Sequence, residues 1–344
     1  MSRRTSVGVP AAASARGARP DAPTSPSAQV ADPPVADRTQ VHTAAPATGV
    51  RPRGLYAIGE GAGGRVRVHH LREMKARGQA ISAVTCYDAT FARLVDAAGI
   101  EVVLVGDSLG NVIQGQETTL PVTVDHIVYH CAAVARGLQR AHLVADLPFM
   151  SYRNVDTGLL SAGRMLAEGW AHAVKLEGGV EVAPIVEALV QAGIPVMGHI
   201  GLTPQSIHAM GGHRIQGRGR AARERLLADA AALQEAGCYA LVLEGIPALL
   251  AADISASLEI PTIGIGAGAG CDGQILVLYD LLGLNPTFKP KFLKRFADLG
   301  EVVGEALGRY RNEVQAGTFP APEHTYSDPA VVPAPAEPAL RSKA

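Results

Sequence analysis

AVKLEG, residues 173–178, is an aliphatic run too short for a helix, and it carries two ionisable side chains, Lys175 and Glu177. Two residues apart on a strand, these side chains point the same way. The design recurs five more times. AVTCYD (83–88) stops at Asp88, VVLVGDS (102–108) at Asp107 and Ser108, and LVADLP (143–148) contains Asp146. VMGH (196–199) stops at His199 and ALVLE (240–244) at Glu244. Helix-like stretches separate most of these runs, which predicts parallel strands joined by helical crossovers. In a closed parallel barrel every strand C-terminus opens on one face, and catalytic residues sit there. Polar groups spread over about 150 residues of sequence would then meet in one mouth. The pattern predicts a TIM (β/α)8 barrel and an enzyme.

The rest of the chain keeps the alternation. A short helix over 68–76 precedes the first strand, and 90–98, 124–136, 157–168, 181–191 and 221–236 read as crossover helices. A helix around 247–258 leads to a seventh strand at 262–266. The eighth strand is expected at 275–280, and an amphipathic helix over 291–316 closes the pattern. Long loops, 109–123 and 201–219, follow the second and fifth strands. Outside this region, residues 1–65 are rich in Ala, Pro, Ser, Gly and Arg with no periodic apolar face, so they are expected to be a disordered extension. The basic start, MSRRTSVGVP, also suits a transit peptide, but Asp21, Asp32 and Asp37 interrupt that character and favour a passive extension. Residues 327–344 form a proline-rich tail. The catalytic barrel is therefore placed at 66–326.

Composition narrows the function. Hydrophobic residues make up 47% of the 344 and aromatics 4%, so the core must be aliphatic and alanine-packed. A formal net charge of −1 removes the electrostatic reason to expect nucleic acid or an anionic membrane as partner. No apolar run reaches the roughly 18 residues of a membrane span. Cys86, Cys131, Cys238 and Cys271 show no CxxC pairing, which fits free thiols in a reducing, cytoplasmic compartment.

The strand ends supply the candidate site. Asp107, Asp146 and Glu177 fall on neighbouring strands about 4.8 Å apart. Unscreened, the three acids would raise one another's pKa, and a hard cation such as Mg²⁺ would relieve that. Each acid alone could equally cap the following helix. Lys175 calls for an anion, either a substrate carboxylate or a neighbouring acid, and a desolvated lysine can also be a Schiff-base nucleophile. Glu244, framed by Leu241, Val242 and Leu243, is expected to have a raised pKa suited to a general base, with helix capping as the competing reading. His199 either orients a substrate oxygen or hydrogen-bonds within the core. The run GIGAGAGCDG (264–273) contains GxGxxG, but after six βα units rather than in the first βα turn of a dinucleotide fold. It reads as an anion site or a tight turn.

Longer motifs add a resemblance. TCYDATFARL (85–94), VGDSLGNVIQGQETTLPVTVD (105–125), ADLPFMSY (145–152), VKLEGG (174–179), GHIGLTPQS (198–206), IQGRG (215–219), LVLEGIP (241–247), IGIGAG (263–268) and DGQILV (272–277) occur in this order. Together they make the region from about 71 to 324 resemble the ketopantoate hydroxymethyltransferase (3-methyl-2-oxobutanoate hydroxymethyltransferase) family. The resemblance implies a barrel of the phosphoenolpyruvate-mutase-like kind and one Mg²⁺ per subunit. It also implies a self-associating protein, commonly a homodecamer. The implied reaction passes a hydroxymethyl group from 5,10-methylenetetrahydrofolate to 3-methyl-2-oxobutanoate, giving 2-dehydropantoate for pantothenate and coenzyme A synthesis. The family's metal-associated acids fall on Asp107, Asp146 and Glu177. Its substrate contacts fall on Asp107, Ser108, Asp146, Lys175 and His199, and its proton acceptor on Glu244. The nearest alternative is a Mg-dependent carbon–carbon lyase of the isocitrate lyase/phosphoenolpyruvate mutase group, against which the absence of a K-K-C-G-H loop counts. A non-catalytic sensor on a degenerate barrel is the alternative from another class, and retention of the acids and Lys175 counts against that.

Overall fold

The computed structural model describes residues 64–326. The two segments expected as tails lie outside the described residues, apart from Gly64 and Arg65. Eight strands alternate with helices, except that a turn alone joins the last two: β1 Ile81–Thr85, β2 Val102–Val105, β3 His142–Asp146, β4 Ala173–Glu177, β5 Val196–Gly201, β6 Ala240–Glu244, β7 Thr262–Ile265 and β8 Gly273–Leu276. All pair in parallel in sequence order, and β8 returns to β1 to close the barrel. The helices used below are α1 Val68–Ala76, α2 Ala89–Ala97, α3 Leu109–Val112, α4 Val124–Ala135, α5 Val155–Ala167, α6 Ala183–Gln191, α7 Ile207–Met210, α8 Arg220–Glu235, α9 Ala248–Ser257, α10 Leu278–Leu281 and α11 Leu299–Gln315.

The strands are buried on both faces, and their alternation sorts two cores. Val103, Val105, Leu143, Ala145, Val174, Leu176, Leu241 and Leu243 pack outward under the helices. Val102, Leu104, Val144, Ala173, Met197, Ala240, Val242, Ile263 and Ile275 fill the barrel interior, with Leu71 and Met74 of α1 closing the floor. Two residues beyond an interior position lies the next interior position. Asp146 therefore follows Val144, Lys175 and Glu177 follow Ala173, His199 follows Met197, and Glu244 follows Val242. This period carries these side chains into the upper layer of the barrel.

Three expectations change. Asp88 does not serve the mouth: its Oδ1 accepts the N–H groups of Thr90 (2.7 Å) and Phe91 (2.9 Å), capping α2. The eighth strand begins earlier, because Gly273 packs so closely on Ile81 that any side chain there would strike its carbonyl. Leu278–Leu281 is then a helical turn. Residues 291–298 are not helical, and α11 starts only at Leu299. Pro290 interrupts the segment, and Arg295 gathers the carbonyls of Asn285, Pro286 and Phe288 at 2.9, 2.9 and 3.2 Å. The thiols are all free, with Cys86, Cys131 and Cys238 buried.

The floor holds two histidines kept neutral. His142 opens β3, with Nε2 3.1 Å from the Tyr239 hydroxyl and its ring centroid 5.6 Å from that of His172. Burial pushes His142 down to about 4. Burial, His142 and Arg65 push His172 down to about 3. The unfolded chain binds these protons near pH 6.5, whereas the fold refuses them. Stability is therefore complete above about pH 6.5 and is lost as pH falls toward 4, by on the order of 3 kcal/mol for His142 alone. Thermal unfolding followed across that range should show the decline, and His142→Gln should flatten it. An equally steep slope in the variant would refute the assignment.

Candidate active site

Strand register brings the site together. Asp146 pairs with Lys175 across β3 and β4, and Glu177 pairs with His199 across β4 and β5. Lys175 Nζ lies 2.9 Å from Asp146 Oδ1, 3.9 Å from Glu177 Oε1 and 3.2 Å from His199 Nδ1. His199 bridges two acids, with Nδ1 3.4 Å from Glu177 Oε1 and Nε2 3.3 Å from Glu244 Oε2. The Asp107 N–H donates to Asp146 Oδ2 at 3.1 Å, tying the end of β2 to β3. Beside it, the Ser108 hydroxyl is 2.7 Å from the Tyr87 hydroxyl. The strand-end candidates other than Asp88 thus form one continuous cluster at one end of the barrel. Asp107, Asp146, Lys175, Glu177 and His199 are buried within it.

Glu244 differs from its expected setting. Its side chain is 21% exposed and faces an imidazole, so it does not sit among aliphatic groups alone. The aliphatic neighbours in sequence, Leu241 and Leu243, point outward into the helix layer.

The charges are strongly interdependent. Burial, then Asp146 and Glu177, hold the Asp107 carboxyl well above the usual carboxylate range. Asp146 is also raised, by burial and Glu177 against the opposing pull of Lys175. Burial works against the charge on Lys175, but Asp146, Glu177 and Asp107 overcome it and raise its pKa. Burial would likewise raise Glu177, yet His199, Lys175 and the Gln205 N–H bring it below its ordinary value. His199 loses to burial and to Lys175 but gains more from Glu177 and Glu244, rising to about 9. The cluster therefore sets Lys175 and His199, both drawn toward their charged forms by neighbouring carboxylates, among Asp107, Asp146, Glu177 and Glu244.

Lys175 is the internal countercharge of this cluster, so the salt-bridge alternative has a direct structural basis. Removing it should be costly. Lys175→Met is expected to destabilise the protein by roughly 3–5 kcal/mol, the penalty for stripping one partner from a buried ion pair. Chemical denaturation measures this, and an unchanged midpoint would overturn the role.

Two residues escaped the sequence reading. Gln205 sits in the loop after β5. Its Nε2 donates to Asp107 Oδ2 (2.9 Å) and to the Leu147 carbonyl (3.0 Å), and its own N–H donates to Glu177 Oε2 at 3.0 Å. Tyr152 donates its hydroxyl proton to Gln205 Oε1 at 2.7 Å and accepts the Glu177 N–H at 3.3 Å. The loop is thereby fastened across β2, β3 and β4. A neutral amide in a long loop has no periodic signature, and only the TPQS segment marked the place.

The glycine-rich run resolves as a close-packed turn. Side chains at Gly268 or Gly270 would strike Ala248 or Ala252 of α9. Gly266 and Gly268 have φ of 60° and 82°, in the left-handed region that favours glycine.

Among the described residues, no group of three or more His, Cys, Asp or Glu side chains is disposed to close around a metal ion. The donor set fits a different arrangement. Asp107 and Asp146 offer hard oxygens, and the buried Asp146 Oδ1 and Glu177 Oε1 are met only by ion-pair contacts to Lys175 and His199. Two carboxylates with the remaining positions left to water and substrate suit Mg²⁺, which retains much of its hydration. The Glu177 carboxylate is turned instead toward His199, Lys175 and the Gln205 N–H.

Comparison with known proteins gives a consistent result. A family model described as ketopantoate hydroxymethyltransferase matches residues 65–322. A 3-methyl-2-oxobutanoate hydroxymethyltransferase from Anaeromyxobacter sp. (strain Fw109-5) is 55% identical over 279 residues, covering 80% of this chain and 92% of that protein. The protein of the same name from Magnetococcus marinus is 56% identical over 263 residues, covering 76% of this chain and 98% of that protein. Among solved structures, a 2,3-dimethylmalate lyase described as a PEP mutase/isocitrate lyase superfamily member superposes with a TM-score of 0.50 at 18% identity, covering 77% of this chain and 91% of that one. Phosphoenolpyruvate phosphomutase from Streptomyces platensis subsp. rosaceus gives 0.50 at 16% identity, covering 76% and 92%. These likenesses place the barrel among phosphoenolpyruvate-mutase-like folds.

Proposed function

The chain belongs to the ketopantoate hydroxymethyltransferase family and is an enzyme of that kind, and from that premise we propose its substrates and the work of its residues. The acceptor is 3-methyl-2-oxobutanoate, the one-carbon donor is 5,10-methylenetetrahydrofolate, and the product is 2-dehydropantoate, committed to pantothenate and coenzyme A. The observation that carries this reading is the buried Lys175 among Asp107, Asp146 and Glu177, with Glu244 and His199 beside it at the rim.

Asp107 and Asp146 would hold a Mg²⁺ ion, with Glu177 contributing negative charge behind them. Such an ion, when bound, supplies Lewis-acid polarisation of the 2-oxo acid. Lys175 and the Ser108 hydroxyl hold the substrate carboxylate, and Tyr87 orients that hydroxyl through their 2.7 Å hydrogen bond. Glu244 removes the C3 proton. His199, with one ring nitrogen at Glu177 and the other at Glu244, fixes the base in place. Water releases the one-carbon unit from the donor's two nitrogens at the formaldehyde level, leaving tetrahydrofolate, and C3 bonds that carbon while its oxygen takes a proton and becomes the hydroxyl.

We further propose a catalytic unit at 66–326 with extensions on either side, assembled as a homo-oligomer of decamer type and working in the cytoplasm. Among the described residues no helix is long and apolar enough to cross a membrane. The test is direct. Purified protein is incubated with Mg²⁺, methylenetetrahydrofolate and 3-methyl-2-oxobutanoate, and 2-dehydropantoate is followed by mass spectrometry. Its appearance at enzymatic rates is expected, and its absence under these conditions refutes the reading.

A further inference from the structure

Residues 284–297, LNPTFKPKFLKRFA, hold four cations and no acid in a chain whose formal net charge is −1. They form a non-helical strap between α10 and α11. Arg295 is an internal fastener through the three carbonyls it binds, and Asp298, just past the strap, lies 3.8 Å from it. The other three cations, Lys289, Lys291 and Lys294, are exposed and enter no ion pair among the described residues. Between them stand Phe288, Phe292 and Phe296, with exposures of 43%, 45% and 64%. Lys294 Nζ lies 4.8 Å over the Phe296 ring.

The strap's position matters as much as its composition. The Phe296 N–H donates to the Leu281 carbonyl at 2.9 Å, docking the strap on α10, which follows β8 at the barrel mouth. Phe292 covers Gly266, with ring atoms 3.3–3.4 Å from where a side chain on that glycine would begin. Gly266 follows Ile265, the register partner of Glu244. A basic, aromatic surface therefore begins beside the strand end that carries the proposed base.

We propose that this strap binds the one-carbon donor, stacking Phe292 on its aromatic portion and holding its glutamyl carboxylates with Lys289, Lys291 and Lys294. This rests on the donor assigned above. The donor must deliver its carbon next to Glu244, so its remaining length has to leave the mouth over one of the flanking loops. The strap matches an elongated ligand with an aromatic end and an anionic tail, because it offers rings and cations in alternation. Exposed ammonium–carboxylate pairs are individually weak, and three together give a preference on the order of tenfold at low salt.

The experiment compares kcat/KM for monoglutamyl and pentaglutamyl methylenetetrahydrofolate. Wild type should favour the pentaglutamyl donor by about tenfold, and added NaCl should erode that ratio. The triple variant Lys289→Gln, Lys291→Gln, Lys294→Gln should bring the ratio close to one, with melting temperature and oligomer mass unchanged. Phe292→Leu should raise KM for both donors alike, leaving the ratio intact. A wild-type ratio of one, or a triple variant that keeps the wild-type preference, overturns the proposal. A fall in oligomer mass with the ratio intact assigns the strap to a subunit contact instead. If wild type turns over neither donor, the assignment of the one-carbon donor fails, and the strap proposal with it.

Discussion

Exhaustive chelation is expected to abolish turnover, and added Mg²⁺ or Mn²⁺ to restore it. The cluster at the barrel mouth is built with too little positive charge of its own. Asp107, Asp146 and Glu177 are buried around Lys175, and Asp107 and Asp146 are both held above their ordinary pKa by burial and by neighbouring acids. A second, hard cation would remove that frustration through oxygen ligands. Zn²⁺ should substitute poorly, because the donors near Asp107 and Asp146 are carboxylates rather than thiolates, and His199 is already held between Glu177 and Glu244. Binding can be read without turnover by titrating Mn²⁺ against the protein and following the free-ion EPR signal. Asp146→Asn should lose the tight phase, and the affinity of wild type should weaken as pH falls and the carboxyls protonate. Full activity after exhaustive chelation, with no Mn²⁺ bound, would remove the metal from the assignment.

How far the sequence reached follows from what the barrel repeats. Alternation within a strand is strictly periodic, so the placement of Asp146, Lys175, Glu177 and Glu244 on the interior face could be read from AVKLEG and its counterparts. Asp88 also ends a strand run but falls in the outward phase of Val84 and Cys86, and it became a helix cap, because a carboxylate just before a helix has two backbone N–H groups within reach. The division of labour among the acids was not legible either. It depends on His199 standing between Glu177 and Glu244, a cross-strand relation fixed by register and rotamer. Gln205 and Tyr152 were invisible for a different reason. They act from loops, through hydrogen bonds that leave no pattern in composition or spacing. Residues 291–298 of the chain were misread as helix because their apolar residues fall at helical intervals, whereas Pro290 and the carbonyls drawn to Arg295 decide the path.

Glu244→Gln should lower turnover by about 10²–10⁴-fold, the usual cost of removing a general base. The substitution keeps the shape of the side chain and removes its capacity to take a proton. Its partner is His199 Nε2, 3.3 Å away, while the acids proposed for the metal lie on β3 and just past β2. Metal and 2-oxo acid binding should therefore survive the change. The proton-transfer step can be isolated by incubating 3-methyl-2-oxobutanoate with enzyme and Mg²⁺ in D₂O and following loss of the C3 proton by NMR, with and without a reduced folate analogue. Wild type should exchange. Glu244→Gln should bind the acid and fail to exchange, whereas Asp146→Asn should lose binding and exchange together. The two failures separate because Asp146 is engaged by Lys175 and the Asp107 N–H, deep in the charged cluster, and Glu244 stands at its exposed edge. Exchange at the wild-type rate in Glu244→Gln would move the base elsewhere. His199 is then the next group to test, since with Glu244 neutralised it loses one of the two carboxylates that hold it protonated.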